Sequence, residues 1–390
     1  MQKIVGEVQK TMKKILVITT ISGFLQQFEM NDISILQEAG YEIYYASNFH
    51  NPVYEVNREE LEEKGIHLHH ISISKSPFNL IANIKAFIQV KRIIKKEQIT
   101  LIHCHNPMGG VIGRLAVIGK KKKVFSIYTA HGFHFYKGAP LLNWLLYFTA
   151  ESLLARCTDR LITINGEDYR RACKFKLRKG GRVARIPGVG VKIELFAPKQ
   201  GVRHEVRKEL GIADETFYIL AVGELNQNKN HRVILEAMAQ MPEENVHLGI
   251  CGRGALEQEL KDLAKELGIA DKVTLFGFRN DIPRMLAAAD VFCFPSKREG
   301  LGIAAIEAMA AGIPMITSDC RGTREYMSHG LNGFVCKKGT AEEYAKAIKK
   351  LKYDPVLRSN MSEACLKTAA KFDISETDKI MRKLYGDGKM

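Results

Sequence analysis

Residues 298–312 read REGLGIAAIEAMAAG and lie between two apolar runs of strand length, residues 290–295 and 313–318. Together they predict a strand, a glycine-rich turn, a helix and a second strand, which is the repeating unit of a parallel α/β sheet. Gly300 and Gly302 would allow the backbone to turn sharply and to approach a ligand closely. The first amides of the helix lack partners and would face that ligand with partial positive charge. This unit predicts a binding site for a phosphorylated ligand. A diphosphate would fit such a site well.

Two carboxylates, Glu299 and Glu307, flank the start of this helix. Their spacing along a helix corresponds to roughly 12 Å at about 1.5 Å per residue. A hydrolase leaves roughly 5 to 9.5 Å between the two carboxylates that act on one glycosidic bond. We therefore interpret them as holding two ends of one long ligand, with Glu307 on ribose hydroxyls and Glu299 on hydroxyls of a sugar. The alternative is that both are helix-surface residues, Glu299 being favoured there by the helix dipole.

Strand and helix signals alternate along the rest of the chain, which is the pattern of parallel α/β proteins. Strands are predicted at residues 15–20, 42–46, 68–71, 101–104, 124–129, 160–164, 218–222, 246–251, 273–276, 290–294 and 314–317. Helices include residues 81–95, 143–155 and 373–385. The length of 390 residues and the turn-rich segment at 186–191 favour two doubly wound, Rossmann-like domains whose strand ends face a central cleft.

The net charge of +15 is distributed unevenly. Residues 1–190 carry 28 Lys and Arg against 15 Asp and Glu, whereas residues 191–390 carry 30 against 28. Basic clusters occur at residues 85–96, 120–123 and 170–185. No nucleic-acid-binding motif accompanies them, so an anionic membrane surface is the better match, with solvated helix faces as the alternative.

Residues 140–148, PLLNWLLYF, contain the single Trp of the chain and suit either a lipid-facing surface or a buried helix. No apolar run approaches the roughly 20 residues of a membrane span, and residues 1–12 are too polar for a signal peptide. Met12 is an alternative start to Met1. The eight cysteines lack zinc-site spacing and are typical of buried thiols in a reducing cytoplasm. We expect a cytoplasmic protein, peripheral at the inner face of the cell membrane.

The motifs resemble those of the retaining glycosyltransferase family 4, which has the GT-B fold, in its bacterial exopolysaccharide and capsule type. The matching segments are REGLGIAAIEAMAAGIP at 298–314, ADVFCFPS at 289–296, RGTREY at 321–326, HGLNGFV at 329–335, VGELNQNKN at 222–230, ICGRG at 250–254, LFGFRND at 275–281, TAHGFH at 129–134 and IHCHNP at 102–107. The resemblance covers nearly the whole chain. It implies an acceptor-binding domain at 1–188, a donor-binding domain at 189–371, and a helix at 372–390 that crosses back to the first domain.

The resemblance also assigns catalytic roles. His131 follows a predicted strand and precedes Gly132, and it is expected to contact the donor sugar. Lys229 is expected to stabilise the departing diphosphate, and Glu299 to bind the sugar. His103, His105 and His134 could mimic metal ligands by spacing, but we interpret them as packing residues or as residues that support the site without touching the ligand.

The chain departs from the family pattern at Glu224, where many members have Arg. Arg298, Arg253 or Lys297 would then complete the cationic pair on the diphosphate. Glu224 itself is interpreted as a loop carboxylate. The remaining donor-binding candidates are Gly23, which would approach the diphosphate, Phe278 at the base, and the residues of the glycine turn, Gly300, Leu301, Gly302 and Ile303, with Glu307.

The implied activity is transfer of a sugar from a nucleotide diphosphate sugar, with UDP preferred, to an acceptor hydroxyl with retention at the anomeric carbon. The acceptor would be a polyprenyl-diphosphate-linked glycan in exopolysaccharide or capsule assembly. No metal or other cofactor is expected, since Asp-x-Asp is not evident. Alternatives are a nucleotide-sugar epimerase of the same fold and a noncatalytic basic module that binds membrane or nucleic acid. A dinucleotide-dependent oxidoreductase is disfavoured because no GxGxxG follows the first strand.

Overall fold

The structure is a computed structural model that describes residues 13–50, 56–119, 124–199, 201–242 and 244–386. The chain forms two compact units. The first contains residues 1–189 and 378–390, and the second contains residues 190–377. The first unit is therefore built from two stretches of chain, one on either side of the second unit.

The first unit is a parallel α/β layer structure. Its strands are β1 (Lys13–Ile18), β2 (Tyr41–Ser47), β3 (Ile66–His70), β4 (Leu101–His105), β5 (Phe125–Ala130), β6 (Arg160–Thr163) and β7 (Arg182–Arg185). Its helices are α1 (Met30–Glu38), α2 (Arg58–Glu63), α3 (Leu80–Lys96), α4 (Pro107–Ala116), α5 (Leu141–Asn143), α6 (Thr149–Ala155) and α7 (Gly166–Ala172). π-Helical turns at Leu25–Glu29 and Trp144–Phe148 lead into α1 and α6.

The second unit repeats this architecture. Its strands are β8 (Phe217–Val222), β9 (Val246–Cys251), β10 (Val273–Gly277), β11 (Val291–Phe294), β12 (Met315–Ser318) and β13 (Gly333–Cys336). Its helices are α8 (Val202–Leu210), α9 (Arg232–Ala239), α10 (Glu257–Glu266), α11 (Ile282–Ala287), α12 (Ile303–Ala310), α13 (Ala341–Tyr353) and α14 (Pro355–Ala369). The final helix, α15 (Ile374–Gly386), runs from the second unit into the first.

Both sheets are wholly parallel. The strand order is β3-β2-β1-β4-β5-β6-β7 in the first unit and β10-β9-β8-β11-β12-β13 in the second. The order reverses between β1 and β4 and between β8 and β11. Ligands bind at the carboxyl ends of strands beside such switch points. Residues that follow β1, β4, β8 and β11 are therefore the ones that each sheet presents to a ligand.

The predicted fold class is confirmed, since both units are Rossmann-like parallel sheets covered by helices. Aliphatic residues of the central strands are fully buried, among them Ile15 to Ile18 in β1 and Ile219 to Ala221 in β8. Burial on both faces explains why these strands are nearly continuous apolar runs in the sequence. Gly312 takes a positive φ of 71° and ends α12, as predicted.

The sequence did not predict two strands, β7 and β13, and both lie at a sheet edge. Each has four residues and one neighbouring strand, so neither carries a long apolar run. Arg182–Arg185, at the end of the basic cluster predicted at residues 170–185, forms strand β7. The basic cluster at 120–123 and both candidate start residues lie outside the described part of the chain.

No helix among the described residues is long and apolar enough to cross a membrane. The eight cysteines are free; six are buried, Cys157 is intermediate and Cys173 is exposed. The expectation of buried thiols thus fails at Cys173.

Candidate functional site

The glycine turn after β11 has the backbone geometry that the sequence predicts. Gly302 takes a positive φ of 92° directly before α12. A Cβ atom at Gly302 would lie 2.8 Å from the ring of Phe294 and 3.1 Å from the hydroxyl of Tyr326. Glycine is therefore required at this position by both conformation and space. The first amides of α12 are left without intrahelical partners beside it, with Ile303 as the first helical residue.

Lys229 and Glu299, predicted separately, lie in direct contact. Lys229 follows β8, Glu299 follows β11, and their Nζ and Oε1 atoms are 2.7 Å apart. The two side chains are 22% and 14% exposed, and the ammonium also lies 5.2 Å from the centre of the Phe294 ring. Lys229 and Glu299 thus form a partly buried ion pair at the switch point of the second sheet.

The loop that carries Lys229 is held by its own asparagines. The side chain of Asn226 accepts hydrogen bonds from the amides of Asn228 and Lys229, both at 3.0 Å. Asn228 in turn donates to the carbonyl of Arg298 at 2.9 Å, and the amide of Lys297 donates to the carbonyl of Asn228 at 2.8 Å. These bonds tie the loop after β8 to the glycine turn after β11.

Sequence reasoning gave no positioning role to Arg321 and Gly322, although they belong to a motif that carries the resemblance. The Arg321 guanidinium donates to the carbonyl of Glu299 at 3.2 Å. A Cβ atom at Gly322 would lie 2.8 Å from Cβ of Glu299 and 2.9 Å from the carbonyl oxygen of Leu301. The loop after β12 therefore packs directly on the glycine turn.

Glu307 lies on α12, and its carboxyl group has no side-chain partner among the described residues. Burial raises its pKa to about 7. A partly buried carboxyl group whose pKa is raised by burial alone is available to a ligand.

The other donor-binding candidates have varied environments. Arg253 follows β9 and is exposed, and Phe278 follows β10 and is 66% exposed. Gly23 is buried without a positive φ, and its carbonyl accepts from the amide of Gln27, so it opens a helical turn. Glu224 is exposed, as its interpretation as a loop carboxylate requires.

His131 lies in the first unit, directly after β5. Its Nε2 atom is 3.1 Å from Nδ1 of His105, which ends β4, and 3.6 Å from Oε1 of Glu29. His105 Nδ1 lies 3.4 Å from the same oxygen. The ring of Phe24 packs against both imidazoles, with ring centres 5.0 Å and 5.7 Å away. His105 therefore contacts His131 directly.

A second set of hydrogen bonds involves His103, which lies on β4 two residues before His105. Both ring nitrogens of His103 are engaged, Nδ1 with the hydroxyl of Tyr385 and Nε2 with that of Thr129, each at 2.8 Å. Tyr385 also donates to Asp32 at 2.8 Å. Tyr385 belongs to α15, so the last helix contributes to the interior of the first unit.

Burial sets the protonation of these groups. It lowers the pKa of His131 to about 4 and of His103 to about 3, and it lowers the pKa of His105 well below its usual range. Burial is the main cause that raises the pKa of Glu29, and the neighbouring Asp32 raises it further. The histidines are therefore neutral at physiological pH.

The sequence matches known families over most of its length. Residues 202–368 match the family described as Glycosyl transferases group 1, and residues 14–165 match the family described as Glycosyl transferase 4-like. The putative glycosyltransferase EpsD of Bacillus subtilis (strain 168) is 37% identical over 377 residues, which is 96% of both chains. An Escherichia coli protein, UDP-Gal:alpha-D-GlcNAc-diphosphoundecaprenol alpha-1,3-galactosyltransferase, is 30% identical over 315 residues, covering 79% of this chain and 81% of its own.

Solved structures agree in fold. Anabaena Alr3699/HepE in complex with UDP and glucose superposes with a TM-score of 0.78 at 20% identity, covering 96% of this chain and all of that one. WaaG, a glycosyltransferase involved in lipopolysaccharide biosynthesis, gives 0.74 at 19% identity with the same coverage. The resemblance inferred from the motifs is confirmed. The chain belongs to the group 1, family 4-like glycosyltransferases of the GT-B fold.

Proposed function

We propose that the protein transfers a hexose from a UDP-sugar to a hydroxyl of a polyprenyl-diphosphate-linked glycan, with retention at the anomeric carbon, during exopolysaccharide or capsule assembly. The observation that carries the proposal is the grouping at the switch point of the second sheet. Lys229 and Glu299 meet beside the glycine turn, the free amides of α12 start there, and Glu307 follows on the same helix. Cation, amides and carboxylates suit a diphosphate between two hydroxyl-rich groups.

The names of related proteins support the choice of substrates. The E. coli relative is named for a UDP-galactose donor and a diphosphoundecaprenol-linked acceptor. The Anabaena structure contains UDP and glucose. Neither name fixes the sugar that this chain uses, so the donor is proposed only as a UDP-hexose.

In the proposed reaction, the bond between the anomeric carbon and the diphosphate oxygen breaks, and the acceptor oxygen attaches to the same face of the sugar. The departing diphosphate takes the proton of the acceptor hydroxyl. Lys229, assisted by Arg298 or Arg253, and the α12 amides would stabilise the developing negative charge. We propose that the diphosphate therefore needs no bridging metal. Glu307 would bind the ribose, Glu299 and His131 the sugar, and Phe278 the base.

The donor site is tested by thermal unfolding with UDP, UDP-glucose, GDP, ADP and NAD, each repeated on Glu307→Ala. A ligand at a hundredfold excess over its dissociation constant stabilises the fold by about 2.7 kcal/mol. We expect stabilisation by the UDP ligands alone and its loss in Glu307→Ala. Glu266→Ala, an exposed carboxylate on α10, is the matched control and should respond as the unaltered protein does. A response only to NAD would contradict the proposal.

The reaction is tested with and without acceptor. We expect a labelled sugar to move from UDP-hexose to a synthetic polyprenyl-diphosphate-linked N-acetylhexosamine, and NMR to show the anomeric configuration of the donor in the product. A changed sugar formed from donor alone would instead identify the epimerase.

The surface of the first unit supports a second proposal, that it docks on an anionic bilayer. Exposed aliphatic and aromatic side chains occur just before and on α3, at the end of α4 and on the segment from α5 to α6. Helix α4 packs against both α3 and α6. The most exposed are Phe78 (81%), Ile81 (85%), Leu141 (87%) and Leu145 (67%). Exposed lysines on α3, including Lys85 and Lys91, add positive charge to the same region. Apolar residues beside basic ones are typical of helices that lie in a membrane interface.

Sedimentation with lipid vesicles tests this docking. We expect the protein to bind phosphatidylglycerol vesicles more than phosphatidylcholine vesicles, and the double variant Ile81→Asp/Leu141→Asp to lose that binding. Val356→Asp, which changes a 68% exposed residue of the second unit, is the control. Equal binding by the double variant and the control would refute the docking surface.

A further inference from the structure

Glu29, His105 and His131 lie together at the edge of the first sheet where β1, β4 and β5 end. Glu29 ends the π-helical turn that follows β1, His105 ends β4, and His131 follows β5. Oε1 of Glu29 is 3.4 Å from Nδ1 of His105 and 3.6 Å from Nε2 of His131, and the two nitrogens are 3.1 Å apart. Glu29 and His105 are 5% and 1% exposed, whereas the side chain of His131 is 20% exposed. His131 is therefore the member of the group that a ligand can reach.

The hydrogen bonds of Asp32 indicate which form of Glu29 is present. Asp32 accepts a hydrogen bond from the hydroxyl of Tyr385 at 2.8 Å and is also hydrogen-bonded to Glu29. An ionised carboxylate only accepts, so a bond between two carboxyl groups needs a proton on one of them. Burial is the main cause that raises the pKa of both groups, and the bond between them raises the pKa of Glu29 further but lowers that of Asp32. Glu29 is therefore a neutral acid that donates to Asp32.

The other oxygen of Glu29 is left as an acceptor beside the two imidazoles. Oε1 is buried and has no hydrogen-bond partner among the described residues, so the proton donated to Asp32 is on Oε2. Buried polar atoms in folded proteins are nearly always paired. Hydrogen bonds in active sites are often long before substrate binds and shorten in the complex. Oε1 therefore needs a hydrogen from one of the imidazole nitrogens that lie 3.4 and 3.6 Å away.

Neighbouring rings limit the movement of the His131 imidazole. The ring of His105 is stacked on it, with centres 5.4 Å and planes 27° apart. Phe24 packs edge-on against its other contacts, with ring centres 5.0 Å apart. The ring of His105 in turn lies 4.1 Å from that of His103, whose two nitrogens are both hydrogen-bonded. His131 is thus held by a ring that is itself held in place.

We propose that Glu29 and His105 are positioning residues for His131, with Glu29 selecting the tautomer that carries hydrogen on Nε2 and His105 fixing the plane of the ring. The tautomer of a neutral histidine is set by the hydrogen bond that one of its nitrogens makes. An acceptor facing Nε2 favours hydrogen there and leaves Nδ1 to accept a hydrogen bond from a ligand hydroxyl. This role rests on the proposed function, in which His131 binds the sugar. Glu29 and His105 act through His131 and do not touch the ligand.

Glu29→Gln and Glu29→Leu separate positioning from packing. The Gln amide can donate to Asp32 while its oxygen accepts from His131, so it reproduces the neutral acid, whereas Leu has a similar size but no polar atom. With UDP-glucose or UDP-galactose and the synthetic polyprenyl-diphosphate-linked acceptor, we expect turnover to fall about ten- to a hundredfold in Glu29→Leu and to be retained in Glu29→Gln. UDP has no sugar to contact His131, so its affinity should be unchanged in both variants. Glu63→Leu, which changes an exposed carboxylate on α2, is the matched control and should keep full turnover.

Nitrogen-15 NMR of the full chain with labelled histidines measures the tautomer independently of activity. The signals of His131 are identified by their loss in His131→Ala. We expect hydrogen on Nε2 of His131 in the unaltered protein and in Glu29→Gln, and a mixture of the two tautomers in Glu29→Leu. A purely structural role of Glu29 would change the stability of the protein but not this tautomer.

The two measurements separate this role from the proposed function. Transfer by the unaltered protein, with the same turnover and tautomer in Glu29→Leu, would overturn the positioning role and leave the proposed function standing. No transfer by the unaltered protein, with a tautomer that depends on Glu29, would do the reverse. Equal losses of turnover in Glu29→Gln and Glu29→Leu would also overturn the positioning role. If Glu29→Leu does not fold, hydrogen on Nδ1 of His131 or a mixture of tautomers in the unaltered protein would refute it.

Discussion

Glu307 makes the stability of the second unit depend on pH. Its pKa in the folded protein is about 7, above the ordinary 4.5, because of burial. Between these values the folded state keeps a proton that the unfolded state has lost, so stability falls as pH rises and is constant above about 7. In the unaltered protein, the free energy of unfolding should decrease by about 1–3 kcal/mol between pH 4.5 and 7.5. In Glu307→Gln, this decrease should be absent. Denaturant unfolding at several pH values measures this change in the free energy of unfolding. The same pH dependence in the unaltered protein and in Glu307→Gln would contradict the prediction.

The same carboxyl group should set the pH dependence of donor binding. A ribose hydroxyl donates to a carboxylate, so affinity for UDP-glucose should rise as pH increases through about 7. UDP-glucose is the suitable ligand because its diphosphate diester does not titrate in this range. Calorimetric titrations at pH 6 and pH 8 should differ for the unaltered protein and agree for Glu307→Gln.

Lys229 and Glu299 should be energetically coupled. Removing one partner leaves a partly buried charge, whereas removing both does not. A double-mutant cycle with Lys229→Met and Glu299→Gln should give a coupling of about 1–3 kcal/mol in the free energy of unfolding. The exposed helical pair Glu342 and Lys346 is the control, with a coupling under about 0.5 kcal/mol. Similar couplings for both pairs would show that burial adds nothing.

For single residues, the sequence identified candidate site residues but did not predict which of them are in contact with each other. Lys229 and Glu299 were each placed on the ligand, but no pattern indicates that they bond to each other, since the contact depends on the order of β8 and β11 in the sheet. Glu29 was not predicted at all, because it lies in a π-helical turn with no motif of its own. The roles of the predicted site residues remain predictions.

Among the structural elements, the glycine turn before α12 should be the least tolerant of substitution. Gly302→Ala would bring Cβ to 2.8 Å from Phe294 in addition to the cost of a positive φ. Gly330→Ala isolates the second cost, because Gly330 has a φ of 83° and nothing within 4 Å of the added atom. We expect Gly302→Ala to lose about 1–3 kcal/mol more stability than Gly330→Ala in denaturant unfolding. Equal losses would mean that Phe294 moves aside freely.

Element prediction succeeded where burial is strong. The central strands of both sheets were found within about two residues, since they are long apolar runs. The edge strands β7 and β13 were missed because one has the sequence RVAR, with two charged residues, and the other begins with a glycine. For segment 140–148, the sequence left open whether it forms a lipid-facing surface or a buried helix. All four of its leucines, at positions 141, 142, 145 and 146, are exposed.

For the molecule as a whole, Tyr385 links the end of the chain to the interior of the first unit. Tyr385→Phe would leave His103 Nδ1 and Asp32 without their shared partner, at a cost of about 1–3 kcal/mol. Tyr353→Phe is the control, since Tyr353 is 66% exposed. Thermal unfolding should show a clear loss for the first variant and a change within about 0.5 kcal/mol for the second. A stable Tyr385→Phe protein would show that the hydroxyl is dispensable.

The first unit is formed by stretches of chain on either side of the second unit, and this order affects its synthesis. Domains usually fold as they emerge from the ribosome, with the N-terminal one first. Here residues 1–189 leave the ribosome without the helix that carries Tyr385, while residues 190–377 follow as a continuous unit. His103 and Asp32 therefore lack their shared partner until the helix that carries Tyr385 has been translated, after the whole of the second unit. The unit whose strands are made first is completed only after the second unit has been made.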